Sequence, residues 1–209
     1  MEREQLINKV KTRIDEVSAS GDVIVDVGVE NTKPFDSIID ELLDESVTEV
    51  LLKAPFYRLE TIEEKGLVGT PVANDENIGT VELPDDCLRL VSFKMRDWLC
   101  PVTSFAVPGD AVATRQSNKY IRGGVAKPVA VLRKLGTLFN VSYYSVKESH
   151  EVEELIYVAK HTEGASRIEI EDQQMIDALC WICAGKTLGV LGQTTIANQC
   201  YENAKGLMV

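Results

Sequence analysis

The sequence predicts an α+β fold: a helical bundle built from both termini, with a β-rich antiparallel insertion between them. Three observations predict it. Helical apolar periodicity runs through roughly the first 55 residues. It returns after residue 170. Between 56 and 169 the period shortens and turn residues crowd in, Pro71, Gly79, Pro84, Pro101, Pro108-Gly109, Gly123-Gly124, Pro128, Gly136 and Gly164 among them. Residues 1–55, 56–169 and 170–209 are accordingly read as N-terminal helices, insertion and closing helix pair of one structural domain.

The elements follow in order. Ile7, Val10, Ile14 and Val17 share one helical face, and Ser18 to Gly21 end that helix. Residues 22–32 read as irregular or briefly extended. A second helix opens near Pro34, whose missing N–H costs nothing at a first helical position. Asp36, Asp40 and Glu41 lie near its start, where the helix dipole favours negative charge. Its apolar stripe runs from Phe35 to Leu51, and Ala54-Pro55 stops it. In the insertion, residues 79–83, 87–95 and 154–160 read as strands. Residues 129–133 and 137–144 read as a hairpin around Lys134-Leu135-Gly136. Residues 108–124 read as a short helix followed by an exposed polar loop. Met175, Ile176, Leu179, Ile182 and Cys183 mark one face of a helix over 171–190, and Gly189 and Gly192 bracket its end. Thr194 or Thr195 then caps a last helix carrying Ile196, Cys200, Ala204 and Leu207.

Composition narrows the function classes. With 44% hydrophobic residues in 209, the chain has the means to build a core without staples. No apolar run approaches the ~18 residues of a membrane span. The N-terminus is charged from Glu2 onward and has no apolar signal core, so secretion is not expected. Five scattered cysteines do not make a disulfide framework and read as reduced, cytoplasmic thiols. The net charge of −11 argues against a free-standing nucleic-acid binder, whose affinity comes from neutralising phosphates. The charge is uneven. Residues 85–150 carry 10 basic and 5 acidic groups, while both flanks are acidic. That asymmetry suits a protein that meets copies of itself, end against middle.

No motif predicts catalysis. Gly185-Lys186-Thr187 resembles the end of a phosphate-binding loop, but the required earlier glycine is Cys180 and the stretch lies mid-helix. Lys186 therefore reads as a solvated helix residue. Cys180 and Cys183 lack a second ligand pair at zinc-site spacing and read as core thiols. His150 and His161 flank a strand, and no GxSxG elbow surrounds a serine. The acidic runs 41–45 and 151–154 lack calcium-loop spacing and read as solvated faces. No cofactor, metal site or enzymatic activity is expected. Arg115, Lys119, Arg122 and Lys127, interleaved with Tyr120, form a basic loop outside the core. It reads first as a contact to an acidic neighbouring subunit and second as a phosphate contact.

Residues 83–132 carry a resemblance. Leu83-Pro84-Asp85-Asp86, Arg89-Leu90-Val91, Asp97-Trp98 with Pro101-Val102, Gln116-Ser117-Asn118-Lys119-Tyr120, Arg122-Gly123-Gly124 and Lys127-Pro128-Val129 are its features. This stretch resembles head–tail connector (adaptor, or ring) proteins of tailed bacteriophages, especially those of short-tailed, crAss-like phages. The closing helices, from Ala178 to Leu207, resemble that family's last helix pair. The resemblance implies a non-enzymatic virion protein at the head–tail junction, assembled in the host cytoplasm. It implies a homo-oligomeric ring, twelve-fold in the family, that sits beneath the portal protein and seats the next tail ring or tail-tube protein. DNA passes through the lumen without sequence-specific binding, and no membrane is involved. Some adaptors dock into the portal through a long C-terminal arm; the last helix pattern here runs to about Leu207, so docking through the helical bundle is expected instead. The alternative is a small acidic binding module or assembly chaperone for a basic partner, and an enzyme with dispersed catalytic residues ranks third.

Overall fold

The computed structural model describes residues 1–20, 32–73, 75–135 and 138–209. The expectation for 22–31 and the tip of the predicted hairpin lie outside the described residues. Among the described residues, five helices and two antiparallel sheets make an α+β fold with helices at both termini. The chain divides into two compact units, Met1–Glu60 with Lys160–Val209, and Thr61–Ala159.

The first unit is helical: α1 (Arg3–Ser20), α2 (Thr32–Lys53), α4 (Gln173–Val190) and α5 (Thr194–Leu207), with a single 3-10 turn at Phe56–Arg58. α1 buries Leu6, Val10, Ile14 and Val17, one residue off the expected face at its start, because Leu6 rather than Ile7 points inward. α2 buries Ile39, Leu43, Val47 and Val50. α4 is buried on nearly every side, from Met175 to Leu188, which marks it as the central helix of the unit. It packs against α1, α2 and α5. Asp172 caps α4 by accepting the Gln174 and Met175 N–H groups at 2.7 and 3.2 Å. α5 begins instead behind Gln193 with no side-chain cap, so neither Thr194 nor Thr195 serves as expected.

Glycine explains the Gly-Lys-Thr stretch. A Cβ at Gly185 would lie 2.9 Å from the Tyr201 ring and 3.2 Å from the Ala197 carbonyl, so α5 crosses α4 here at close range. Lys186 is not solvated: its side chain is 13% exposed and divides between Glu45 and Glu49 at 2.8 and 3.0 Å. Thr187 donates to the Cys183 carbonyl at 2.8 Å. The three residues pack helices together and form no phosphate cradle.

Cys180, Cys183 and Cys200 are buried in this unit, and Cys100 is exposed. Burial pushes the Cys180 thiol up to about 12 and those of Cys183 and Cys200 up to about 11. A thiol reagent at neutral pH should therefore label Cys100 within minutes and the three helical cysteines only after denaturation, as peptide mapping will show. Cys183→Ser should cost about 1–3 kcal/mol, since a more polar hydroxyl is buried there. Rapid labelling of Cys183 in the folded chain would contradict this packing.

The second unit holds two sheets. β1 (Ile62–Glu64), β7 (Val152–Ala159) and β4 (Cys87–Met95) form one, in the order β1-β7-β4. β2 (Thr70–Val72), β3 (Asp75–Glu82), β6 (Leu138–Tyr144) and β5 (Ala130–Leu135) form the other, in the order β2-β3-β6-β5. The predicted hairpin is present as the β5–β6 pair, with Leu132 opposite Val141. The unit's core gathers Val81, Phe93, Met95, Trp98, Val141, Tyr143 and Leu155. β1 and β2 were not expected from the sequence; both are short and largely exposed, so neither carries an alternating apolar pattern.

Candidate functional site

The basic loop grows out of the β unit between β4 and β5. The chain leaves β4 through Trp98 and passes Val102, which pairs back with Phe93. It then forms α3 (Ala111–Arg115), a single short helix behind Asp110. The Asp110 carboxylate accepts the Val107 N–H at 2.8 Å, closing the turn before α3.

Five hydrogen bonds hold the loop. Gln116 is 3% exposed; its side chain donates to the Val112 carbonyl at 2.8 Å and accepts the Gly123 N–H at 2.9 Å. The Asn118 side chain accepts the Tyr120 N–H at 3.0 Å. Arg122 donates to Asp75 on β3 at 2.9 Å. Ser145, the residue after β6, with φ of 62°, donates its hydroxyl to the Gly123 carbonyl. A Cβ at Gly123 would meet the Lys127 carbonyl at 2.7 Å, so the loop's return leg needs glycine there.

The five residues singled out from sequence divide on this framework. Arg115, Lys119, Tyr120 and Lys127 are exposed, with Tyr120 84% accessible. Among the described residues, none of Arg115, Lys119 and Lys127 has a carboxylate within ion-pairing distance. Lys119 lies over the Tyr120 ring at 5.2 Å. Exposed Val112 and Ile121 add apolar area to the same loop. Arg122 is different. Its side chain is 10% exposed and spent on Asp75, whose carboxyl it holds below the usual carboxylate range. The expectation that the whole basic loop lies outside the structural framework is therefore corrected for Arg122 and Gln116. Both hold the loop to the sheet or to itself.

Arg122→Ala should lower stability by about 1–2 kcal/mol, between the values for exposed and buried pairs, as read by urea denaturation. Arg115→Ala should change it by less than about 0.5 kcal/mol. Equal losses for the two would contradict the division.

The other sequence candidates have structural employment. The His150 ring meets the Tyr143 hydroxyl at 2.6 Å, and His161 meets Asp44 at 3.0 Å with its side chain 8% exposed. Both lie just outside the ends of β7, as a surface or strand-end reading expects, and each is bonded there. The acidic runs are paired rather than simply solvated: Asp44 to Arg3, Glu45 to Lys186, Glu151 to Arg96, and Glu153 to Lys94. Among the described residues, no three His, Cys, Asp or Glu side chains come together as a metal site, and no helix is long and apolar enough to cross a membrane.

The charge is unequal between the units. The helical unit carries 11 basic and 20 acidic residues, net −9, and the β unit 11 and 13, net −2. The helical unit is the more acidic of the two, and the nearly balanced β unit carries the cation-rich loop. No protein-family model matches the sequence, and no curated protein matches it.

Proposed function

We propose that this chain is a structural virion protein, a head–tail connector that assembles into a ring joining the portal to the tail and extending the DNA channel. The observation that supports it best is the loop surface. Arg115, Lys119 and Lys127 are exposed and, among the described residues, have no carboxylate within ion-pairing distance; they stand beside exposed Tyr120 and Ile121, on a chain whose other unit is strongly acidic. In a ring of identical subunits each contact is heterologous, one surface meeting a different surface on the next copy. Opposite charge on the two surfaces supplies register and fast association more than raw affinity. The resemblance of residues 83–132 to phage connectors supplies the setting: portal above, tail ring or tube below, DNA through the lumen. An acidic chain suits that lumen, because it repels the passing phosphates.

The test is incorporation into portal complexes. Arg115, Lys119 and Lys127 are changed together to Glu, and Arg122 is left in place because it holds the loop. The variant should fold as the wild type does and fail to enter complexes with portal at low salt. The wild-type complex should loosen as salt rises. Unchanged incorporation of the triple variant would show that the loop takes no part.

The second reading, an acidic binding module or assembly chaperone for a basic partner, draws on the net −9 of the helical unit. It predicts a monomer or dimer in the presence of portal.

A further inference from the structure

The loop surface needs an occupant that is acidic and partly apolar. We propose that this occupant is the outer face of α2 in a second copy of this chain; the proposal rests on the self-assembly reading above. On α2, Ser37, Glu41 and Glu45 follow at four-residue intervals and are exposed, so they form one row along the helix. The α2 segment ends in exposed apolar residues. Leu52 is 47% accessible, and Phe56 and Tyr57, just past the helix, are 49% and 69% accessible. Glu41 has no cation within ion-pairing distance among the described residues. Glu45 shares Lys186 with Glu49. From Glu41 to Leu52 the face runs about 16 Å at 1.5 Å per residue.

The loop presents the complementary set. Arg115 and Lys119 are two of its three cations with no ion-pair partner among the described residues, and Val112, Tyr120 and Ile121 are 46%, 84% and 59% accessible. Carboxylates meet cations while Leu52, Phe56 and Tyr57 cover the loop's apolar residues, removing both patches from water.

Other acidic faces of the helical unit fit less well. On α1, exposed Glu4 and Asp15 stand among exposed Gln5, Asn8 and Thr12, and no large exposed hydrophobic is found there among the described residues. On α5, Glu202 faces Lys205 at 4.0 Å, so its charge is answered within the helix. Of α1, α2 and α5, α2 is the one that combines a carboxylate lacking an ion-pair partner among the described residues with exposed apolar surface at its end.

The experiment is a charge exchange in the full-length chain, read by sedimentation velocity at low salt with and without portal. One variant carries Arg115→Glu and Lys119→Glu. A second carries Ser37→Lys and Glu41→Lys, which spare the Glu45–Lys186 pair. A third carries all four changes. Far-UV circular dichroism checks that each folds. Each two-site variant should lose assembly about tenfold, and the four-site variant should regain it to within about twofold of wild type, as restored complementarity requires. Loss in the loop variant with normal assembly of the α2 variant would overturn the α2 assignment while leaving self-assembly through the loop intact. Loss in both without recovery in the four-site variant would overturn the pairing of these two faces. A wild type that stays monomeric in both settings would overturn the self-assembly reading and this inference together.

Discussion

Trp98→Ala should destabilise the β unit by about 3–5 kcal/mol, the range for removing a large buried aromatic. Trp98 is 2% exposed and stacks edge-on against Phe93, centroids 5.6 Å apart at 81°. Its indole N–H donates to the Tyr144 carbonyl at 3.2 Å. Truncation empties the space beside Phe93 and strips that carbonyl of its donor. Trp98 also stands at the root of the candidate interface, since the chain leaves β4 through it and returns along β5. The variant should therefore lose loop-dependent assembly as well as stability. Trp98→Phe keeps a ring against Phe93 and should lose less, about 1–3 kcal/mol, chiefly the unpaired carbonyl. Urea denaturation followed by near-UV circular dichroism reads both. A loss below about 1 kcal/mol for Trp98→Ala would show that the site collapses around the gap or that the indole is not a core element.

Asp44→Ala should cost the helical unit about 2–4 kcal/mol, because several donors lose one acceptor at once. The Asp44 carboxylate accepts from Arg3 at 2.7 and 3.2 Å, from the Gly164 N–H at 3.0 Å, and from His161 at 3.0 Å. One side chain thus ties α1, α2 and the segment before α4. Burial pushes its carboxyl pKa up, but the bonds from Arg3, Gly164 and His161 outweigh it and hold the group below the usual carboxylate range. The sign of the pH effect follows. A carboxyl depressed in the folded state binds protons more readily when unfolded, so its stabilisation is present above the ordinary carboxylate pKa. It is lost as pH falls through the depressed folded value. Stability should fall with acid below about pH 4, and Asp44→Asn should flatten that limb. Asp97, which accepts three backbone N–H groups from 147–149, adds a similar limb in the β unit and is unaffected by the substitution. An acid limb of the same steepness in Asp44→Asn would remove Asp44 from the account.

The sequence disclosed the elements whose pattern is local. β4 occupies residues 87–95 as expected, since Leu90, Phe93 and Met95 keep an apolar face within nine residues. α4 lies within two residues of its expected start, because its buried positions repeat at helical spacing. β1 and β2 were hidden by the absence of any such pattern. Asp44 was hidden for another reason. Its partners stand at positions 3, 161 and 164, and no local spacing reveals a meeting of that range.

The candidate surface was half legible. Arg115, Lys119, Tyr120 and Lys127 behave as their polar, glycine-containing context suggested. Arg122 shares that context and does the opposite, because Asp75, 47 residues away in sequence, lies within reach only in the folded sheet. Gln116 gave one signal in retrospect. Amid exposed neighbours it has a long amide side chain able to serve two backbone groups at once, and both are in its own loop. The opposing face on α2 was invisible at the sequence level for a simpler cause. The run Glu41–Glu45 mixes Glu41, which faces water, with Asp44, which faces inward to Arg3.

The central claim is that this chain builds a closed assembly of identical copies. Native mass spectrometry of the wild-type protein, alone and with a portal ring, tests it most directly. The account predicts one discrete multi-copy mass, unchanged across protein concentration once formed, and dissociating as salt is raised. A monomer or dimer at every concentration, in the presence of portal as well as without it, would contradict it.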